Sequence, residues 1–178
     1  MRRLAVFALT LACALPATAA LKPGTAAPPF SAPAYLAGQP ITFTLADALK
    51  QGPVVLYFFP AAFTPGCNAE AAAFSRAIDK FKALGASVIG ITAGNTERLA
   101  EFSKDTEKCA GKSPVAADEG AKIAKAYDAT MTLKPDLSSR TSYVIGRHGK
   151  VVFAFDAMNP NQHVKETLAA LEARKPAK

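Results

Sequence analysis

Six consecutive apolar residues, Val54-Val55-Leu56-Tyr57-Phe58-Phe59, constrain the fold of this chain more than any other stretch. A β-prone run without polar alternation reads as a strand covered on both faces, which places it centrally in a sheet. Gly52-Pro53 stop whatever precedes it, and Pro60 ends it. The chain then turns through Ala61-Ala62-Phe63 into Thr64-Pro65-Gly66-Cys67-Asn68-Ala69-Glu70. Thr64 suits a helix N-cap and Pro65 the first helical position, so Cys67 falls in the first turn, with Gly66 allowing close backbone approach. There the sulfur meets unpaired N–H groups and the positive end of the helix dipole, which favour an anion. A capping box would carry Glu three residues after the cap; Cys67 occupies that place.

The remaining elements follow from periodicity and punctuation. Residues 21–40, rich in Pro, Ala and Gly, read as an extended segment, 41–45 as a short strand, and 46–50 as at most one helical turn. After Cys67, Phe74, Ala77, Ile78, Phe81 and Leu84 recur at helical spacing and Gly85 can end the helix. Residues 87–92 form a second buried strand, and 96–108 predict a helix with Leu99 and Phe102 inward and Cys109 at its fraying end. A short extended piece at 114–117, a short helix at 119–127 and a loop at 131–139 come next. Residues 141–145 and 151–155 make a hairpin around Gly146-Arg147-His148-Gly149-Lys150, and Asn159-Pro160 open a last helix with Val164, Leu168 and Leu171 inward. This order predicts an α/β fold, a mixed central sheet flanked by helices: crossovers supply a parallel pair and the hairpin an antiparallel one. It fits a thioredoxin-like core. No internal repeat or low-complexity segment interrupts it.

The N-terminus reads differently from the rest. Arg2-Arg3, an apolar run from Leu4 to Leu15 and the small residues Ala17-Thr18-Ala19-Ala20 make residues 1–20 a secretory signal peptide, with cleavage after Ala19 or Ala20. The apolar run is shorter than the roughly 20 residues of a spanning helix, and no basic stop-transfer cluster follows. Thr10 stands where a lipoprotein signal around Cys13 would usually carry Leu. Residues 21–178 then form a single exported domain, with the bacterial periplasm as its expected location. Losing Arg2 and Arg3 takes the 21 basic residues to 19 against 14 acidic ones, so the net charge becomes about +5 rather than +7. That charge is spread over Lys-rich helices and the tail instead of lining an aromatic groove, which argues for a solvated face and against nucleic-acid binding. Export also removes Cys13, leaving Cys67 and Cys109. In an oxidising compartment such a pair is either a static staple or a redox couple.

Pro60-x-x-x-Thr64-x-x-Cys67, with Glu70 three residues on and Arg140-Thr141-Ser142-Tyr143-Val144-Ile145 downstream, resembles the active-site signature of peroxiredoxins. The full run Phe59 to Cys67 is similar to the Q-type subgroup, the bacterioferritin comigratory proteins, and the likeness covers roughly residues 24–174. The resemblance implies thiol-dependent reduction of hydrogen peroxide and organic hydroperoxides with no metal or prosthetic group. The expected export puts cytosolic thioredoxin out of reach, so the compartment implies an exported thioredoxin-like or glutaredoxin-like protein as reductant. Cys67 would be the peroxidatic thiol and Thr64 a hydrogen-bond donor to the peroxide. Arg140 would stabilise the thiolate and the departing oxygen, Pro60 shield the sulfur, and Glu70 orient Arg140.

One position departs from the subgroup. Many members place a resolving cysteine five residues after the first, where this chain has Ala72. Cys109 is the remaining candidate, at a loop-closure cost only modestly above that of a short loop, and it would require local unwinding around 104–110 and near Cys67. The alternatives are a one-cysteine peroxidase served by an external thiol, or a non-enzymatic exported module stapled by Cys67 and Cys109. A disulfide oxidoreductase would need cysteine at Glu70, and a copper-delivery protein at Ala71. Only His148, in the hairpin turn, and His163, near a helix start, could supply imidazoles, and both read as surface residues.

Overall fold

A computed structural model describes residues 20–109 and 111–174 of the chain. The leader therefore lies, except for Ala20, outside the described residues, as does the tail after Arg174. The elements run β1 (Ser31–Leu36), β2 (Gln39–Thr44), α1 (Leu45–Gln51), β3 (Val54–Phe58), α2 (Pro65–Ala83), β4 (Ser87–Thr92) and α3 (Leu99–Lys104). They continue with β5 (Val115–Ala117), α4 (Lys122–Ala126), β6 (Thr130–Met131), β7 (Lys134–Ser138), β8 (Thr141–Ile145), β9 (Val151–Asp156) and α5 (Pro160–Glu172). Seven strands form one mixed sheet in the order β2-β1-β5-β4-β3-β8-β9, with β6 and β7 pairing separately. Strand β3 is flanked by β4 in parallel and β8 in antiparallel pairing, as the crossover and hairpin readings require.

The apolar run works as a two-faced strand. Val55, Tyr57 and Phe59 enter one core with Phe74, Ile78 and Phe81 of α2, Leu99 and Phe102 of α3, and Leu171 of α5. Val54, Leu56 and Phe58 enter the other with Leu45 of α1, Ala124 of α4, Tyr127 and Tyr143. Side chains alternate across a strand, so each run residue commits to one layer, and both layers close over it. No helix among the described residues is long and apolar enough to cross a membrane.

Four readings need correction. Within the segment read as extended, residues 31–36 pair with β2 through a tight turn at Ala37 and Gly38, both at positive φ (49° and 82°). Ala at such a φ carries none of the usual Asn-Gly turn signal. Helix α1 runs seven residues instead of one turn. The predicted loop at 131–139 holds the β6–β7 hairpin, where Pro135 is tolerated because the pair is isolated from the main sheet. The helix expected over 96–108 is a 3₁₀ turn at Thr96–Arg98 followed by six α-helical residues. Asp105 ends it: Asp105 Oδ1 accepts from the N–H groups of Glu107 and Lys108 at 3.0 and 3.1 Å, starting a new turn.

Candidate active site

Thr64 is the N-cap residue of α2, Pro65 its first helical residue, and Cys67 stands in the first turn, as read from the sequence. The cap works through the backbone: the Thr64 carbonyl accepts from the N–H of Asn68 at 2.9 Å. The Thr64 hydroxyl makes no cap bond and donates instead to the Ala61 carbonyl at 3.0 Å. The first-turn N–H groups therefore get no side-chain acceptor from Thr64, in a turn where they have no intrahelical one either.

The loop before Cys67 is pinned to the end of β4. Thr92 Oγ1 donates to the Pro60 carbonyl at 3.1 Å, the Ala62 N–H to the Gly94 carbonyl at 3.3 Å, and Asn95 Nδ2 to the Ala62 carbonyl at 2.7 Å. A Cβ on Gly94 would lie 2.5 Å from the Pro60 carbonyl oxygen, so only glycine permits this approach. Phe63 adopts a left-handed backbone (φ 62°), a conformation costing about 1–2 kcal/mol for a residue with a Cβ. Its ring is held by Phe102 edge-on, with centroids 5.4 Å apart, and by the Arg98 guanidinium 3.9 Å above it.

Arg140 is delivered from the other side. The β3–β8 register sets Thr141 opposite Phe58, so the preceding Arg140 arrives beside the end of β3 where the loop begins. Arg140 Nη2 lies 3.4 Å from Cys67 Sγ, and Nη1 donates to Glu70 Oε2. A Cβ on Gly66 would come within 3.1 Å of Nη2, so glycine here makes room for the guanidinium. Cys67, Glu70 and Arg140 are 1%, 0% and 4% exposed: a thiol, a carboxyl and a guanidinium enclosed together. Burial pushes the Glu70 carboxyl up to about 8, against the opposing pull of Arg140. Glu70, which could equally have decorated the first helical turn, is the wholly buried partner of the arginine.

His163 corrects a further reading. It is fully buried on α5, with Nδ1 2.8 Å from Ser142 Oγ and 3.6 Å from Glu70 Oε1, and Nε2 2.8 Å from the Ala157 carbonyl. The signal was present as a stripe: His163, Thr167, Ala170 and Leu171 are all buried at spacings of one helix face. His148 does lie exposed in the β8–β9 turn. Thr92, Gly94, Asn95 and Ser142 also escaped notice, because their roles depend on strand register and not on local sequence.

Cys109 sits in the turn after α3, wholly buried, its N–H donating to the Asp105 carbonyl at 3.0 Å and its sulfur 4.0 Å from the Ser113 carbonyl. Its own carbonyl accepts from Ser75 Oγ of α2. Burial pushes its thiol up to about 11. Cys67 and Cys109 are both free thiols in the same apolar layer.

The AhpC/TSA family model matches residues 23–154. Peroxiredoxin Q, chloroplastic, of Sedum lineare is 34% identical over 153 residues, covering 85% of this chain and 78% of that protein. The protein of the same name from Oryza sativa subsp. japonica is 35% identical over 151 residues, with 84% and 66% coverage. Among solved structures, peroxidoxin BcpB from Mycobacterium tuberculosis superposes with a TM-score of 0.75 at 29% identity, covering 87% of this chain and 99% of that one. The reduced 2-Cys peroxiredoxin of Plasmodium vivax, at 23% identity and the same TM-score, shares the fold. Family match, Q-type relatives and fold agree with the cysteine, arginine and glutamate gathered at the start of α2: the chain belongs to the AhpC/TSA family as a peroxiredoxin of the Q type, a thiol peroxidase.

Proposed function

We propose that Cys67 reduces hydrogen peroxide and small organic hydroperoxides, and that Cys109 completes the cycle. The observation that carries the first step is the Arg140 guanidinium 3.4 Å from Cys67 Sγ, in the first turn of α2. Cys67 as thiolate attacks the nearer peroxide oxygen; the O–O bond breaks, the sulfur becomes sulfenic acid, and the departing oxygen leaves as hydroxide or alkoxide and takes a proton from solvent. Arg140 and the first-turn N–H groups face the charge that develops, and Thr64 can turn its hydroxyl from Ala61 towards the peroxide. Pro60 holds its place through Thr92 and helps keep water from the sulfur. Because Cys67 is 1% exposed, a small peroxide fits the approach better than a bulky one. Peroxide consumption by wild type and Cys67→Ser tests this step: the variant should fall to the buffer rate, and equal rates would overturn the reading.

In the second step the Cys109 thiolate attacks the sulfenic sulfur, hydroxide leaves, and a Cys67–Cys109 disulfide forms, to be reduced by the dithiol of a thioredoxin-like or glutaredoxin-like protein. Ser75, which holds the Cys109 carbonyl, is eight residues beyond Cys67 on α2, about 12 Å of helix rise. Disulfide-bonded residues have Cα atoms within roughly 7 Å, so the start of α2 and the turn leading to Cys109 must both let go. The burial of Cys109, with its thiol pushed up to about 11, supports a second reading in which an external thiol resolves the sulfenic acid. Mass mapping after one equivalent of peroxide separates the two: a Cys67–Cys109 peptide supports the internal cycle, and its absence supports the external one.

The leader, a positive n-region, an apolar run and an Ala-rich cleavage site, supports delivery of residues 21–178 as one domain to the bacterial periplasm. The relatives named chloroplastic reach a plastid, the alternative destination. Cell fractionation followed by N-terminal sequencing of the mature protein distinguishes them.

A further inference from the structure

We propose that His163 is a positioning residue of the peroxide site: it shares one buried proton with Glu70 and, through Glu70, sets how much of Arg140's charge is left to face Cys67. The proposal rests on the reading of Cys67 as the reactive thiol. Nothing in the peroxiredoxin signature calls for this histidine, which reaches the site from the last helix, across the sheet register.

The hydrogen bonds fix the ring. Nε2 lies 2.8 Å from the Ala157 carbonyl, which can only accept, so Nε2 carries hydrogen in every protonation state. All titration therefore happens at Nδ1, which faces Ser142 Oγ at 2.8 Å and Glu70 Oε1 at 3.6 Å. Glu70 Oε1 is buried and has no hydrogen-bond partner among the described residues, whereas Oε2 is occupied by Arg140. With no proton between them, the Nδ1 and Oε1 lone pairs would face each other between two wholly buried side chains. With one proton the contact becomes attractive, either as carboxylic acid towards imidazole or as carboxylate towards imidazolium. Ser142 accommodates either placement of the proton, because its hydroxyl accepts from a protonated Nδ1 and can turn away to leave the single Nδ1 lone pair to the Glu70 acid.

From β3 comes Tyr57, wholly buried, whose hydroxyl is raised by burial and further by Glu70 and Cys67, so it stays neutral. From α2 comes Glu70; from the approach to β8 comes Arg140, which opposes a charged imidazole as burial does. From β9 the Phe155 ring closes over His163 edge-on, with centroids 5.0 Å apart, and the next residue, Asp156, stands opposite Thr141 in the β8–β9 register. Cys67 lies beyond Arg140. One proton on the Glu70–His163 pair makes the pair neutral, and Arg140 then presents its full charge to the sulfur. Loss of that proton leaves Glu70 anionic, and the carboxylate offsets Arg140 at the expense of Cys67. His163 thus links the pH of the medium to the field at the thiol without touching substrate.

The test reads the ring and the thiol separately from peroxide turnover. The chain has only two histidines, so the ring nitrogens of His163 can be followed by ¹⁵N NMR with the exposed His148 as internal control. The expected result is a protonated Nε2 at every pH, with an Nδ1 inflection that coincides with a second inflection in the rate of Cys67 alkylation by iodoacetamide. Glu70→Gln should remove this inflection from both observables. His163→Gln, compared at equal melting temperature, should displace the alkylation profile by at least about 0.5 pH unit, roughly a threefold rate change on its sloping limb. A proton on Nδ1 with a bare Nε2, or an inflection of His163 that persists in Glu70→Gln, would overturn the proposal, as would a His163→Gln profile that overlays wild type. Should His163→Gln fail to fold, the ring spectra of wild type and Glu70→Gln decide alone. Failure of the peroxidase reading would appear instead as peroxide consumption by Cys67→Ser, which leaves the ring spectra untouched.

Discussion

Cys67 and Cys109 are equally hidden from solvent and lie in the same apolar layer, yet their immediate partners have opposite character. Cys67 has a helix N-terminus beneath it and a guanidinium 3.4 Å away. Cys109 has a backbone carbonyl 4.0 Å from its sulfur, and desolvation, outweighing the opposing hydrogen bonds of Gly111 and Ser75, pushes its thiol up to about 11. Burial alone therefore says little about a thiol. What decides its chemistry is whether the charge it would carry already has a counter-charge enclosed with it.

The largest consequence is a difference in labelling. At pH 8 a thiol titrating near 11 is about one-thousandth ionised, so iodoacetamide should modify native Cys67 and leave Cys109 intact, with both labelled in urea. Peptide mass mapping over time measures the ratio, and comparable labelling in the native protein would erase the contrast. Arg140→Ala should bring the two thiols closer from the other side. Removing the guanidinium 3.4 Å from the Cys67 sulfur should slow peroxide reaction by about 10²–10³-fold, by analogy with loss of a donor at a developing anion. Single-turnover competition with a reference peroxidase measures this directly; the chain has no tryptophan to report it by intrinsic indole fluorescence.

Glu70 supplies a contrast in stability. Its carboxyl is raised in the folded protein, so the folded state holds a proton that the unfolded chain releases near 4.5, the ordinary glutamate value. The stabilisation is complete below that pH and is lost as pH rises towards about 8. Urea denaturation followed by circular dichroism should show stability declining across this window by on the order of a few kcal/mol, and Glu70→Gln should flatten the decline. The smallest effect concerns the loop that carries Cys67. Arg98→Ala removes the cation above Phe63 and should cost about 0.5–1 kcal/mol, read in the same titrations. It should also speed disulfide formation after peroxide, since the strained Phe63 backbone loses one of its restraints.

Much of this was legible in the chain itself. The apolar run from Val54 to Phe59 announced a central strand, because a strand lacking polar alternation must be covered twice. Thr64-Pro65 announced the helix start, because capping and proline preferences are local and depend on few neighbours. The spacing of Cys67 from that start placed it in the first turn, and the resemblance to the peroxiredoxin signature pointed to Arg140 and Glu70 as residues to look for beside it. The misreadings have equally physical causes. The β1–β2 turn uses Ala37 at positive φ, for which residue type gives no warning, and the helix after Arg98 yields to a side-chain cap at Asp105.

What tertiary structure alone decided is the company the thiols keep. Whether Glu70 decorates a helix or pairs with Arg140 depends on the β3–β8 register, which spans more than eighty residues of chain. Whether His163 faces water or a carboxylate depends on how α5 docks against β8 and α2. Sequence by itself determined the strand, the helix start and the position of the Cys67 sulfur, because each is set by neighbours along the chain. The field at that sulfur was decided only by folding, because a buried charge is governed by whatever the fold encloses with it.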